Sequence, residues 1–341
     1  MKKIAIFNNK GGVSKTTSTF HLGWTLANLG HKVLMVDGDP QCNLTELFLG
    51  DSFEEYYQNQ ATQKHNIKDG CAAPFLGLNT PIASINCPQS LRQPNLYLLP
   101  GSLSLAEFEN QLNMAMTVPN ALPAMSGLPG SINALINQVV DRYQIDYVLI
   151  DLNPGINAIN KALVLSSDGF VIPANPDIFC NMAIKVLKTI LPQWTNWKKI
   201  NQNVFNQSSY PLPANTPKFL GTIVQRFNIR NGDPVSAHQE NINEIEATIT
   251  SELIPALQDE DMLFSQNEYQ QVGLMPNYTL GQIKEFNTLG AKSHQFHVPV
   301  FELNDQELNA RGKVMTQFLE NQDEFKRRYT DISTKIIALL Q

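Results

Sequence analysis

Apolar residues along the chain fall into short continuous runs separated by longer amphipathic stretches. Residues 3–7 form the first run, closed by Asn8 and Asn9. After a glycine-rich turn, Phe20, Leu22, Trp24, Leu26, Ala27 and Leu29 pattern a helix over residues 15–29, with Gly30 as its stop. A second run, 32–36, ends at Asp37. Further strands are predicted at 95–99, 146–150, 169–173 and 219–224, with a weaker one at 296–301. Strands that are apolar throughout are buried on both faces. Their alternation with helical patterns predicts an α/β fold: a doubly wound, mainly parallel sheet with helices on both faces.

Three polar, turn-rich stretches interrupt this alternation: 58–94; 117–130, with Pro119, Pro123 and Pro129; and 196–217. They read as insertions or long surface connections in one domain spanning 1–341. The last stretch, 323–340, reads as a helix with an apolar stripe at Phe325, Tyr329, Ile332, Ile336 and Leu340. Hydrophobic residues make up 43% and charged residues 16%. That charged share is below the roughly 25% of an average globular protein, so the chain can fill a large core and is not globally disordered. Lys plus Arg is 25 against 31 Asp plus Glu, a net charge of −6. A globally basic nucleic-acid binder is excluded, and any such contact must use a local cluster. The candidates are Lys198-Lys199, Arg226, Arg230 and Lys326-Arg327-Arg328. There is no apolar run long enough for a spanning helix, and the first residues lack a signal-peptide pattern, so a cytoplasmic protein is expected. Cys42, Cys71, Cys87 and Cys180 form no CxxC pair, which removes a zinc ribbon or thioredoxin-type site and leaves reduced thiols.

The segment Asn9-Lys10-Gly11-Gly12-Val13-Ser14-Lys15-Thr16-Thr17 lies between a strand and a helix, where a phosphate-binding loop belongs. Gly11 and Gly12 let consecutive N–H groups converge on one anion, and the helix adds its positive end. In that reading Lys15 faces the β- and γ-phosphates, Thr16 offers its hydroxyl to Mg²⁺ and Thr17 reaches the α-phosphate. The strict pattern G-x-x-x-x-G-K-[ST] is broken by Asn9 and Ser14. Ser14 either crowds the phosphates or donates to them. Two more runs end in carboxylates: Val33 to Val36 leads to Asp37 and Asp39, and Tyr147 to Ile150 leads to Asp151. Ligands bind at this edge of a parallel sheet, and in-line phosphoryl transfer uses one carboxylate near Mg²⁺ and one near the attacking water.

Lys10-Gly11-Gly12-x-x-Lys15-Thr16 resembles the deviant Walker A loop of the ParA/MinD family of ATPases, KGGxGK[ST]. Asp37-Gly38-Asp39-Pro40-Gln41-Cys42-Asn43 resembles that family's DxDPQGN box, with Cys42 in place of Gly. The resemblance implies that Lys10 crosses a dimer interface to the partner's nucleotide. It also implies that Asp39 orients the water, that Asp37 supports the magnesium shell and that Asp151 holds a magnesium-bound water. Residues 96–102 are similar to the family's L-LLPGS turn, which favours ParA over MinD. Residues 221–227 sit where a family strand end meets adenine, with Gln225-Arg226 in place of the common Asn; Pro299 would flank the base. The resemblance covers residues 1–56 and 95–192 well and 218–340 loosely. It implies a Mg²⁺-ATP-dependent homodimerising ATPase, slow and partner-stimulated, acting on non-specific DNA with a ParB-like partner. Three alternatives stand beside it. One is a MinD-like membrane cycle through the basic, apolar-striped C-terminal segment. Another is a binding module that barely hydrolyses ATP, which Ser14 favours. The last is an iron–sulfur reductase like the nitrogenase iron protein, disfavoured because Cys180 stands alone.

Overall fold

The computed structural model describes residues 1–341 apart from 118–124, 231–232 and 235, so Pro119 and Pro123 lie outside the described residues. Seven strands form one sheet: β1 (Lys2–Ile6), β2 (Val33–Asp37), β3 (Leu96–Leu99), β4 (Tyr147–Asp151), β5 (Gly169–Ala174), β6 (Lys218–Phe227) and β7 (Thr279–Lys284). Their spatial order is β3-β2-β4-β1-β5-β6-β7, and every pairing is parallel. The principal helices are α1 (Lys15–Asn28), α2 (Asn43–Leu49), α3 (Leu128–Tyr143), α4 (Ala158–Leu165), α5 (Ile178–Asn206) and α6 (Lys313–Leu340).

The chain moves from β1 to β2 in one direction across the sheet and from β4 through β5 to β6 in the other. Right-handed crossovers then put α1 on one face and α4 and α5 on the opposite face. The central strands β1, β2, β4 and β5 are buried almost without interruption, as their apolar sequences require. The order reverses between β1 and β4, and the crevice at their C-terminal ends is the place such sheets offer a ligand.

Four sequence expectations need correction. The predicted strand at 296–301 does not form. Phe296 ends a helix begun at Thr288, His297 turns in a left-handed conformation (φ 55°), and Val300–Glu302 is a 3₁₀ turn. The seventh strand is instead β7, which sequence reading missed. Only Leu280 and Ile283 are buried there, and two register shifts against β6 break the alternation that marks a strand. The polar stretch from 196 is not a surface connection at its start, because α5 runs through it to Asn206 with Pro192 inside. Finally, the C-terminal helix begins ten residues earlier than its stripe suggests, at Lys313.

Two of the polar stretches hold each other. The Tyr210 hydroxyl accepts from the Ile82 N–H at 3.0 Å, and the Tyr143 hydroxyl accepts from Cys87 N–H at 3.0 Å. Phe75 stacks on Phe108 with ring centroids 3.8 Å apart. Lys198, on the inner face of α5, is buried and donates to the carbonyls of Leu165 and Asn215 at 2.7 and 2.5 Å. It is a bracket between the end of α4 and the chain that follows α5, not part of a basic patch.

The stripe of α6 faces inward. Phe325, Tyr329, Ile332, Ile336 and Leu340 are buried, and a Cβ built on Gly281 of β7 would lie 2.7 Å from Ile332. Ile332→Ala is expected to destabilise the protein by about 2–5 kcal/mol, as loss of a buried aliphatic side chain does. A urea melt should show a lower midpoint at unchanged slope.

Candidate functional site

The loop after β1 is fixed at both ends. Asn8 is buried; its Nδ2 donates to the Pro173 carbonyl at 2.8 Å and its Oδ1 accepts from Lys10 N–H at 3.0 Å. Gly12 (φ 71°) and Ser14 (φ 60°) both take left-handed backbone, and together they swing the chain into α1. Glycine adopts that conformation freely, whereas serine does so at a cost. Ser14 makes no cap hydrogen bond with its side chain. Val13 is wholly buried and offers a ligand only its backbone. Lys15 is 7% exposed and folds back across the loop, its Nζ donating to the Lys10 carbonyl at 3.0 Å. Burial lowers its pKa against the opposing pull of Asp151 and Asp39.

Sheet register assembles the carboxylates. Asp37 at the end of β2 is the direct neighbour of Asp151 at the end of β4, and Asp151 in turn pairs with Ile6, three residues before the loop's Asn9. Both carboxylates are fully buried. Asp37 accepts from Thr45 N–H at 2.8 Å, Thr45 Oγ1 at 2.6 Å and Asp39 N–H at 3.2 Å, yet burial still pushes its pKa up to about 6. Asp151 accepts from Thr16 Oγ1 at 2.7 Å, and burial together with the charge of Asp37 raises its pKa. Asp39 is 7% exposed; one oxygen accepts from Gln41 N–H at 2.9 Å.

Two buried carboxylates side by side resist full ionisation unless a cation joins them. Among the described residues no group of three or more His, Cys, Asp or Glu side chains is placed to cage a metal. A hydroxyl and one or two carboxylates, completed by substrate oxygens, is the donor set that suits Mg²⁺.

Beside the loop, Ser14, Thr17, His21, Gln225, Phe286 and His294 help to line a cavity. Gln225 enters it from β6 at a register shift that also turns Arg226 to φ 59° and onto Glu285 at 3.3 Å. Pro299 does not line this cavity; its neighbour Val300 donates its N–H to His21 Nε2 at 3.2 Å. Sequence reading missed His21, which is stacked between Phe286 and Tyr329 at 4.9 and 5.0 Å and held neutral by burial, its pKa near 4. It also missed Asp177, whose carboxylate takes both 2.7 and 2.5 Å contacts from Lys10 Nζ and caps α5 by accepting from Cys180 N–H. The signal for Asp177 was present, as an Asp directly ahead of a helical run.

Residues 1–204 match the AAA_31 family, described as an AAA domain, and that stretch holds the loop and all three carboxylates. The chain belongs to this family. Its fold is shared with the pNOB8 ParA structure, at TM-score 0.54 and 19% identity, covering 99% of this chain and 98% of that one. It is 28% identical over 267 residues to an uncharacterised protein of Methanocaldococcus jannaschii, covering 71% of this chain and 93% of that one. It is 29% identical over 178 residues to Soj, the sporulation initiation inhibitor protein of Bacillus subtilis, covering 53% of this chain and 60% of Soj. The fold is shared with the Cyanothece McdA–ATP complex, at TM-score 0.59 and 18% identity over 96% of each chain.

The other basic candidates of this AAA-domain chain are engaged within it. Lys199 pairs with Glu260 at 2.9 Å, Arg328 with Glu324 at 3.0 Å and Lys326 with Glu302 at 3.9 Å, while Arg327 Nε donates to the Asp323 carbonyl at 3.2 Å. The Arg230 side chain lies outside the described ones. Ser14→Gly should stabilise the protein by about 1 kcal/mol, because it removes a left-handed non-glycine residue that no side-chain bond supports. Denaturant unfolding of the nucleotide-free protein checks this; a loss of stability would mean that the serine hydroxyl carries a bond of its own.

Proposed function

We propose that this chain is a Mg²⁺-ATP-dependent switch of the ParA type, in which ATP joins two copies and its hydrolysis separates them. The observation that carries the reading is the grouping of Lys15, Thr16, Asp37, Asp39 and Asp151 at one sheet edge, beside a cavity entered by Thr17 and Gln225. The fold shared with the Cyanothece McdA–ATP complex supports it.

In this proposal Lys15 turns from the Lys10 carbonyl to the β- and γ-phosphates, and the N–H groups of Gly11 to Thr17 hold the phosphate chain. Mg²⁺ would neutralise charge on the phosphate oxygens; Thr16 and Asp151 would hold it, with Asp37 in support. Asp39 keeps one oxygen without a described hydrogen bond, and that oxygen orients the attacking water. Gln225, rather than Pro299, meets the adenine. Lys10 leaves Asp177 and acts on the nucleotide of a second copy.

We place the switch in the cytoplasm, on non-specific DNA, answering to a ParB-like partner that speeds hydrolysis. The buried stripe of α6 speaks against a membrane-binding helix there. Among the described residues no helix is long and apolar enough to cross a membrane. DNA contact would fall to cationic groups made dense by two copies, and it should weaken steeply with salt.

Lys15→Ala should abolish ATP binding in calorimetry, whereas Lys10→Ala should bind ATP and remain monomeric by light scattering. An ATP-dependent dimer of the Lys10 variant would remove its action across the interface. Asp39→Ala should form the ATP dimer and hydrolyse at least about tenfold more slowly, for want of an oriented water. A wild-type turnover rate in that variant would move the water-orienting role to another group.

A further inference from the structure

Several polar groups around the cavity already have partners, while the Ser14, Thr17 and His294 side chains also line it. His21 has both ring nitrogens committed, Nδ1 to the Thr17 carbonyl at 2.8 Å and Nε2 to Val300 N–H at 3.2 Å. Ser293 Oγ donates to the Val298 carbonyl. Arg226 and Glu285 are paired with each other, and Lys284 Nζ is held by Asn321 and Glu324. Gln225 is 2% exposed, and its Nε2 donates to Ser18 Oγ. Its Oε1 accepts no hydrogen bond among the described residues.

The direction of that amide is fixed from outside the cavity. A serine hydroxyl has one proton and two lone pairs. Ser18 gives its proton to the Ser14 carbonyl, 2.8 Å away and one turn back in α1. Its oxygen can then only accept, so the end of Gln225 that meets it must be the NH₂. Turning the amide over would set a carbonyl oxygen against a lone pair inside a buried site, a costly arrangement. Tighter binding of a 6-oxo purine would show that Ser18 gives its proton to Gln225 instead, turning NH₂ to the cavity.

Given the nucleotide reading proposed above, on which this step rests, we infer that Ser18 is a base-selecting positioning residue. By orienting Gln225 it leaves an unpaired acceptor in the cavity lining that takes a 6-amino purine and rejects a 6-oxo purine. The 6-amino group can donate to Oε1. A 6-oxo group presents a second acceptor, and that mismatch leaves two oxygens facing each other.

The test is equilibrium binding of ATP, ITP and inorganic tripolyphosphate, each with Mg²⁺, to the full chain. Wild type should prefer ATP over ITP by about tenfold or more. Ser18→Ala frees the amide to turn and should bring the ratio within about threefold. Ser18→Thr keeps a hydroxyl that can bond the same carbonyl and should keep the ratio. Gln225→Leu should lose discrimination as Ser18→Ala does, and it serves as the readout if Ser18→Ala fails to fold. Equal or tighter binding of ITP by wild type overturns the inference, as does an undiminished ratio in Ser18→Ala or Gln225→Leu. Tripolyphosphate bound without any base preference overturns this inference alone. Failure of wild type to bind any of the three overturns the phosphate-loop reading and this one with it.

Discussion

The site depends on the parallel pairing of β2 with β4, which sets Asp37 and Asp151 shoulder to shoulder in a fully buried layer. Two carboxylates so placed repel each other and have lost their water. The protein answers with donors: Thr45 twice and the Asp39 N–H on Asp37, and Thr16 on Asp151. Those donors tie α2 to β2 and α1 to β4. The loop, the two helices that follow it and the sheet edge are thereby coupled through one electrostatic problem that a divalent cation would relieve.

Much of this was legible in the sequence, for a physical reason. Central parallel strands are buried on both faces, so they appear as uninterrupted apolar runs, and a carboxylate at the end of such a run must lie at the sheet's C-terminal edge. That reading puts Asp37, Asp39 and Asp151 at the same sheet edge as Lys15 and Thr16. The periphery was less legible. β7 buries only Leu280 and Ile283 and slips register twice, while the polar outer face of α5 disguised a helix as a connection. His21 was invisible because its role comes from Phe286 and Tyr329, some 265 and 308 positions away in sequence. The basic clusters show the same limit: sequence lists cations, and only the fold shows that Lys198 is an internal bracket and that Lys199 and Arg328 already have acidic partners.

Two departures from the family pattern, Ser14 and Cys42, have the same backbone consequence. Each is left-handed, at φ 60° and 55°, where the resembling family has glycine. The turns have kept their shape although the residues no longer favour it. That points to the surrounding contacts, rather than the local residue, as what sets the loop conformation.

The contact of Lys10 with Asp177 changes what association of two copies would mean. A lysine already seated on a carboxylate, itself the cap of a 29-residue helix, has no free charge to offer an approaching phosphate. Reaching a second subunit then becomes an exchange of one anion for another. Its driving force is the small difference between two ion pairs instead of the full strength of either. Such an exchange runs close to balance, so modest changes at the far side, such as one phosphate fewer, are enough to reverse it. The freed carboxylate would stay at the head of α5, next to the exposed Ile178 and Phe179, and the same exchange would alter the charge of the face on which those side chains stand.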